Sequence, residues 1–256
     1  MLAEERQRLI LSMVNARGSI SITEIMRKLK VSRETIRRDL MVLKDEKRLR
    51  KTHGGALSLE QSEPEMKVRE VTNADGKRAI GRLAASLVPD GASVILASGT
   101  TVQAVADALM ARRDLTVFTN NVISCGKLMG HNGNRVYMLG GEVQALNGAT
   151  LGRDATAMLA NYFADFAFIG AGAVSPAGWL MDYTREEAEL HSAMLQAART
   201  AAVVADRGKF GRFAPVRLNS FDRVTHLITD AAPEPEIRAA LAALPLDVLI
   251  AGQDEA

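Results

Sequence analysis

The segment VSRETIRRDLMVL, residues 31–43, decides the fold of the first part of the chain. Ser32 has a side-chain oxygen that can cap a helix starting beside it. Val31 and Ile36 stand at the two positions of a hydrophobic staple, which sets the angle at which the chain enters the helix. These local features predict a helix that begins directly after Ser32.

The predicted helix has an apolar and a polar face. At 3.6 residues per turn, one face carries Ile36, Leu40 and Leu43 and should point inward. The other face is polar in its first two turns, with the side chains of Arg33, Glu34, Arg37 and Arg38. Two interpretations stay open at this point. The arginines are displayed for a ligand, or the face is simply solvated and carries pairs such as Glu34 with Arg38.

A second short helix is predicted just before this one. Ser21 and Glu24 have the spacing of a capping box, and an apolar stripe runs from Ile22 to Leu29. Two short helices joined by a tight turn form a helix-turn-helix, whose second helix enters the major groove of DNA. We therefore expect contacts to phosphates or guanine edges from the second helix. The predicted DNA-binding residues on it are Ser32, Arg33, Thr35, Arg37 and Arg38.

The segment RLRKTHGGALSL, residues 48–59, predicts a basic hairpin. Two extended arms flank Gly54–Gly55, and paired glycines favour a tight turn because they tolerate positive φ. A basic hairpin after a recognition helix is a wing, and its cations can reach phosphates or the minor groove. The predicted wing contacts are Lys51 and His53, together with Arg48 and Arg50. An exposed turn histidine without a DNA contact is an equally consistent interpretation of His53.

Charge is distributed unevenly along the 256 residues. Residues 1–59 hold 14 Lys+Arg against 7 Asp+Glu, whereas the remainder holds 18 against 23. Such segregation is expected when one small domain meets a polyanion and the other does not, although chance asymmetry gives the same count. The single cysteine and the lack of an apolar run of about 18 residues favour a soluble, cytoplasmic protein.

The rest of the chain predicts an open α/β domain. Residues 60–76 are polar and suggest a linker with at most a short helix, between domains at 1–59 and 77–256. From there, buried strands without period-2 alternation alternate with helices, which indicates a parallel sheet covered on both faces.

Ligands of such sheets bind outside the carboxyl ends of the strands. The segment SGTT, residues 98–101, follows the first strand and opens a helix, which suits a phosphate; an ordinary turn with a helix cap is the competing interpretation. Other small and polar residues also follow strands, and Lys209 is a point charge suited to phosphate. The predicted effector-binding residues are Ser98, Gly99, Thr100, Thr101, Asn120, Asn121, Gly140, Gly141 and Lys209.

The segment VSRETIRRDLMVLKDEKRLRKTHGGA resembles the N-terminal signature of the DeoR-type bacterial transcriptional regulators, with Lys47 as a departure. SGTT, TNN, LGGE, FIGAGAV and ADRGKFGR are similar to the effector domain of that family. The resemblance implies a winged helix-turn-helix followed by a domain related to ribose-5-phosphate isomerases that senses a phosphorylated sugar or glycerol 3-phosphate. It is nearest to the glycerol-3-phosphate regulon repressor subgroup. It also implies a repressor that forms a dimer or tetramer on operator DNA.

Two further functions were weighed. An isomerase needs a carboxylate base near the substrate, but this chain has Gly170–Ala173 where the isomerases carry Gly-Ala-Asp-Glu. Glu142, Asp182, Glu186 and Glu187 could substitute, so enzymatic activity is an alternative that we do not favour. A third possibility is a DNA-binding protein whose α/β domain only dimerises. Neither a cofactor nor a metal site is expected.

Overall fold

The computed structural model describes residues 2–17, 19–51, 54–58 and 63–252. The chain divides into two compact units, one of Met1–Pro64 with Phe213–Pro215 and the other of Glu65–Arg212 with Val216–Ala256. Within the described residues, no helix is both long and apolar enough to cross a lipid bilayer.

The first unit combines three helices with a small antiparallel sheet in the order β1-β3-β2. Its elements are α1 (Ala3–Arg17), β1 (Ser19–Ser21), α2 (Ile22–Leu29), α3 (Arg33–Asp45), β2 (Leu49–Lys51) and β3 (Gly55–Ser58). The predicted helix bounds at Ile22 and Leu29 are confirmed, and β2 and β3 pair antiparallel as a hairpin. The predicted turn at Gly54–Gly55 is wrong in one respect, because Gly55 belongs to β3 and has no positive φ. One apolar core joins the three helices and the sheet, and it includes Ile10, Ile25, Ile36, Leu40 and Leu43.

The second unit is an open α/β structure, as the alternation of strands and helices predicts. Its helices are α4 (Met66–Val71), α5 (Ala74–Ser86), α6 (Thr100–Leu109), α7 (Val122–Leu128), α8 (Arg153–Leu159), α9 (Arg185–Gln196) and α10 (Pro235–Ala242). Its strands are β4 (Ser93–Leu96), β5 (Thr116–Thr119), β6 (Arg135–Met138), β7 (Ala164–Ile169), β8 (Ala173–Val174), β9 (Leu180–Asp182), β10 (Ala198–Val204), β11 (Val216–Arg217), β12 (His226–Thr229) and β13 (Asp247–Ile250).

Seven of these strands form one parallel sheet in the order β13-β12-β10-β7-β4-β5-β6. Two separate apolar cores are built on the sheet, one around Ile95 and Ile169 and the other around Leu96 and Phe168. Alternate residues of a strand point to opposite faces, so both faces of the sheet are covered. A small antiparallel sheet, β11-β9-β8, was not predicted from the sequence, because its strands are only two or three residues long.

Asp165 ties the beginning of β7 to the beginning of β4. Its Oδ2 accepts hydrogen bonds from the hydroxyl of Ser93 at 2.7 Å and from the backbone N–H of Ser93 at 3.0 Å. These hydrogen bonds lower the pKa of the Asp165 carboxyl, because they stabilise its charged form.

We predict that Asp165→Asn destabilises the protein at pH 7 by about 1 kcal/mol. A carboxyl with a lowered pKa stabilises the fold above its unfolded pKa, and that contribution is lost as the pH falls through the folded pKa. The difference between wild type and variant should therefore shrink below about pH 4. Urea unfolding at several pH values checks this, and a difference that stays constant would contradict it.

Candidate functional site

The start of α3 is built as the sequence predicts. Ser32 caps the helix by accepting the N–H of Thr35 at 3.2 Å, and the two hydroxyl oxygens lie 2.8 Å apart. Val31 packs against the core and Ile36 is fully buried, as expected for a hydrophobic staple. The helix therefore presents a rigid N-terminal end, and its exposed Ser32 lies beside the free N–H groups of the first turn.

The three arginines of α3 are displayed to solvent. Arg33, Arg37 and Arg38 are exposed, whereas Ile36 and Leu40 are buried. Among the described residues, neither Glu34 nor any other carboxylate forms an ion pair with one of these arginines. The interpretation of this face as a set of internal salt bridges is therefore not supported, and three guanidinium groups remain available to an anionic partner.

One buried charge in α3 was missed by the sequence analysis. Asp39 is only 3% exposed and accepts hydrogen bonds from Nη2 of Arg6 at 3.0 Å and from Nε2 of Gln7 at 3.3 Å. The contact with Asp39 raises the pKa of the Arg6 guanidinium. This network holds α1 against the inner face of α3. A signal was present, because Asp39 lies beside Leu40 on the inward face, where a carboxylate needs a partner.

Three of the four wing residues predicted to contact DNA lie among the described residues. Arg48 and Arg50 are exposed and Lys51 is partly buried in β2. Nη1 of Arg48 lies 3.4 Å from a carboxylate oxygen of Glu46, and both side chains are about half exposed, so this pair is weak. His53 lies outside the described residues.

The strand order of the large sheet locates a crevice. Beginning at β4, the chain runs outward through β5 and β6 on one side and through β7, β10, β12 and β13 on the other. The order of the strands therefore reverses between β4 and β7, and ligands of open α/β sheets bind outside the carboxyl ends of strands at such a point. Residues 98–101 follow β4 and residues 170–172 follow β7, so these two segments border the crevice.

The segment Ser98–Thr101 forms an open helix N-terminus. Gly99 is the N-cap of α6 and has φ +124°, a conformation that other residues rarely adopt. No side chain among the described residues caps α6, so the N–H groups of its first turn are left for another acceptor. An added Cβ at Gly170 would lie 3.8 Å from the carbonyl oxygen of Ser98, which shows how close the two crevice segments are.

Lys209 lies just after β10, the next strand of the sheet beyond β7. The single 3₁₀ turn Arg207–Lys209 follows β10, and Nζ of Lys209 is 3.5 Å from the carbonyl oxygen of Gly172. Because β10 neighbours β7, the ammonium group of Lys209 reaches the same side of the crevice as Gly172. The structure therefore brings Ser98–Thr101, Gly170–Gly172 and Lys209 to the ends of three adjacent strands, β4, β7 and β10.

The other predicted effector residues lie further along the edge, after β5 and β6. Oδ1 of Asn121 caps α7, and its Nδ2 donates to the carbonyl of Asn147 at 2.9 Å. Asn120 is fully buried, with its Nδ2 donating to the carbonyl of Thr150 at 2.9 Å. Gly140 and Gly141 begin the loop that these asparagines hold. The contacts show a structural role for both asparagines, and their role toward an effector stays a prediction.

The four carboxylates considered for isomerase chemistry either bind other groups of the protein or are exposed to solvent. Asp182 is buried and accepts the N–H of Gly172 at 3.2 Å, while its second oxygen lies 2.9 Å from Nδ1 of His191. Glu187 completes the capping box of α9 with Thr184. Glu142 and Glu186 are exposed. These contacts do not form the general-base arrangement that proton transfer between sugar carbons requires.

A winged helix-turn-helix with an exposed basic helix, in a chain with a separate parallel α/β unit, is the architecture of a ligand-responsive DNA-binding protein. Residues 6–62 match the DeoR-like helix-turn-helix domain, and residues 72–231 match the DeoR C terminal sensor domain. The chain belongs to the DeoR family of bacterial transcriptional regulators, and it is a regulator rather than an enzyme.

Curated relatives are similar over nearly their whole length. The chain is 34% identical to the glycerol-3-phosphate regulon repressor of Haemophilus influenzae, covering 90% of each chain. It is 30% identical to the HTH-type transcriptional repressor CsqR of Escherichia coli, over 96% of this chain and 94% of the relative. It is 33% identical to the repressor GlcR of Bacillus subtilis, over 100% and 99%.

Solved structures give a weaker similarity. Ribose 5-phosphate isomerase A from Methanocaldococcus jannaschii covers 54% of this chain and 55% of its own, with 18% identity and a TM-score of 0.40. The eIF2B beta subunit from Chaetomium thermophilum covers 66% and 56%, with 17% identity and a TM-score of 0.47. Similarity at this level carries no functional argument.

Proposed function

We propose that this protein represses a carbon-catabolism operon and that a small phosphorylated metabolite, a sugar phosphate or glycerol 3-phosphate, controls its DNA binding. The observation that carries the DNA-binding half is the exposed face of α3, where Arg33, Arg37 and Arg38 have no ion-pair partner among the described residues. Guanidinium groups at this position can form bidentate hydrogen bonds with guanine edges or phosphates. We propose repression rather than activation because the relatives reported above are named repressors.

The sensing half rests on the crevice between β4 and β7. The open N-terminus of α6 places N–H groups and the hydroxyl of Thr100 at the positive end of a helix dipole. Lys209 adds a positive charge on the other side. This combination suits a phosphate group. The remaining predicted residues, Asn120, Asn121, Gly140 and Gly141, would shape the outer wall of the site.

The proposed domains are residues 1–59 for DNA binding, 60–76 as linker and 77–256 for the effector. The active form is proposed to be a cytoplasmic homodimer or tetramer, because paired recognition helices read repeated half-sites. Effector binding would then favour one arrangement of the oligomer and change the spacing of the two recognition helices.

The test uses the full-length protein and a DNA duplex that it selects from a random library. Fluorescence anisotropy gives the affinity for that duplex with and without glycerol 3-phosphate or one of several sugar phosphates. An affinity that changes about 5- to 150-fold with one of these compounds supports the proposal. Selection of no preferred sequence would contradict the DNA-binding half, and no response to any compound would contradict the sensing half.

We predict that Thr100→Ala weakens binding of the active phosphorylated compound by about 1 kcal/mol, because it removes one hydroxyl from the open end of α6. Affinity for the selected DNA should not change. Isothermal titration calorimetry measures the first effect and anisotropy the second. Thr116→Ala is the matched control, since Thr116 begins β5 at the opposite edge of the sheet. Wild-type affinity in Thr100→Ala would exclude this hydroxyl from the site.

A further inference from the structure

The helix that follows the DNA-binding unit is held by a buried lysine. α4 (Met66–Val71) is the first helix after Pro64, and it ends at Thr72, whose N–H donates to the carbonyl of Val68. Lys77 lies on α5 and is only 5% exposed. Its Nζ lies 2.5 Å from the carbonyl oxygen of Arg69 and 2.6 Å from that of Thr72. Lys77 therefore binds the carboxyl end of α4 through two backbone carbonyls.

The same ammonium group faces the carboxyl edge of the large sheet. Nζ of Lys77 lies 3.8 Å from Oδ2 of Asp206, and both side chains are at least nine-tenths buried. Burial lowers the pKa of Lys77, while the charge of Asp206 acts in the opposite direction. Asp206 lies two residues after the end of β10, so the lysine connects the end of α4 with the segment that follows a central strand.

Asp206 also shapes the turn that carries Lys209. Its Oδ1 accepts the N–H of Gly208 at 2.9 Å and so caps the 3₁₀ turn Arg207–Lys209. The Asp206 carboxylate therefore has two roles. One of its oxygens faces Lys77, which holds α4, and the other orders the turn that carries Lys209. The turn and Lys77 therefore share one carboxylate.

A second set of contacts connects the same two segments. Nδ2 of Asn73, in the turn between α4 and α5, donates to Oδ2 of Asp230 at 2.9 Å. The backbone N–H of Arg207 donates to the other oxygen of Asp230 at 2.7 Å, and Nη2 of Arg207 donates to Oδ1 of Asn73 at 3.3 Å. The turn after α4 and the turn after β10 are therefore connected on two sides.

A buried ion pair is a costly way to stabilise a fold. Removing two charges from water costs several kcal/mol per ion, and well-packed apolar residues of similar volume often stabilise a fold equally well. The Lys77–Asp206 pair also depends on a particular position of α4, because two of the groups around Nζ are backbone carbonyls of that helix and its cap. Contacts that depend on the position of α4 can link this helix to changes at the carboxyl edge of the large sheet.

We propose that Lys77 and Asp206 couple effector occupancy at the Lys209 turn to the docking of α4, and through α4 to the DNA-binding domain. This inference rests on the proposed function of the crevice as an effector site. Lys77 is a positioning residue in this account, because its buried ammonium group contacts the carbonyls of Arg69 and Thr72 and faces Asp206. An anion that binds Lys209 moves the turn capped by Asp206, and the change in the Lys77–Asp206 contact alters how firmly the carboxyl end of α4 is held.

The first experiment needs no ligand. Hydrogen–deuterium exchange of the full-length protein is compared for wild type, Lys77→Met, Asp206→Asn and the double variant. We expect exchange to rise in residues 66–72 and in residues 206–210 in both single variants, because the two segments share one contact. The double variant removes both buried charges together, so it provides a folded reference if a single variant fails to fold.

Lys127→Met is the matched control for this experiment. Lys127 is also an ion-paired lysine of the second unit, with Nζ 2.5 Å from Oδ1 of Asp107, but it connects α7 with α6. Exchange in residues 66–72 and 206–210 should not change in this variant. If Lys77→Met loosens residues 66–72 without affecting residues 206–210, Lys77 is only a cap for α4 and the proposal is overturned.

The second experiment measures coupling with glycerol 3-phosphate as the probe. Wild-type affinity for the selected DNA should change about 5- to 150-fold at saturation. Lys77→Met should still bind both DNA and the probe, but the change should fall to less than about twofold. A full response in Lys77→Met would overturn the proposal. If the wild type does not respond to glycerol 3-phosphate, the measurement is repeated with the sugar phosphate that changes its DNA affinity. If no compound does so, the proposed sensing function is wrong, and the exchange experiment alone decides whether Lys77 links the two segments.

Discussion

Replacing Arg37 and Arg38 together with alanine should abolish specific DNA binding while both units remain folded. Each guanidinium group can supply a bidentate contact that is worth about 1–3 kcal/mol of discrimination between bases. The double variant should therefore lose about 2–6 kcal/mol of affinity for the selected duplex. Folding is expected to persist because both side chains are exposed and have no ion-pair partner among the described residues.

Anisotropy with the selected duplex and with a scrambled duplex measures this loss at several salt concentrations. A contact to a base lowers affinity for the selected duplex only. A contact to a phosphate lowers affinity for both duplexes and reduces the salt dependence by about one unit per contact. The matched control is Arg238→Ala, which removes an exposed arginine from α10 of the other unit. Wild-type affinity in both Arg37→Ala and Arg38→Ala would refute the assignment of α3 as the recognition helix.

The second large effect is expected from Asp39→Ala. The substitution removes the two carboxylate oxygens that contact the Arg6 guanidinium, whose side chain is only 13% exposed. Breaking a buried ion pair in this way costs about 3–5 kcal/mol, and we expect the lower end because Arg6 retains some contact with water. DNA affinity should fall as well, since α1 no longer holds the inner face of α3.

Urea unfolding of the full-length protein, together with hydrogen exchange in α1 and α3, measures the destabilisation of the first unit. Asp45→Ala is the control, because Asp45 is an exposed aspartate at the end of the same helix. That variant should stay within about 0.5 kcal/mol of wild type. Equal stability of Asp39→Ala and Asp45→Ala would show that the Arg6–Asp39 pair contributes nothing to the fold.

Local features of the DNA-binding unit were predictable because their causes lie within a few residues. The cap at Ser32, the staple formed by Val31 with Ile36, and the outward direction of the arginines all follow from helix geometry over two turns. The pairing of Asp39 with Arg6 was not predictable in the same way, since 33 positions of sequence separate the two residues. Only the packing of α1 against α3 brings them together.

The carboxyl edge of the large sheet shows the same division between local features and features that depend on packing. The sequence places small and polar residues after each strand, but it does not say which strands are neighbours. The position of β4 beside β7 turns Ser98–Thr101 and Gly170–Gly172 into the two sides of one crevice. Asn121 has the polarity of a ligand contact, yet its amide oxygen caps α7 and its Nδ2 donates within the protein.

Local signals along the chain are enough to predict a winged helix-turn-helix with an outward basic face and a parallel α/β domain, because capping, periodicity and charge act over short distances. Tertiary structure decided where the crevice lies and which charges are buried. Lys77 has the sequence environment of an ordinary surface lysine at the start of a helix. It is buried only because α4 and the end of β10 meet around it.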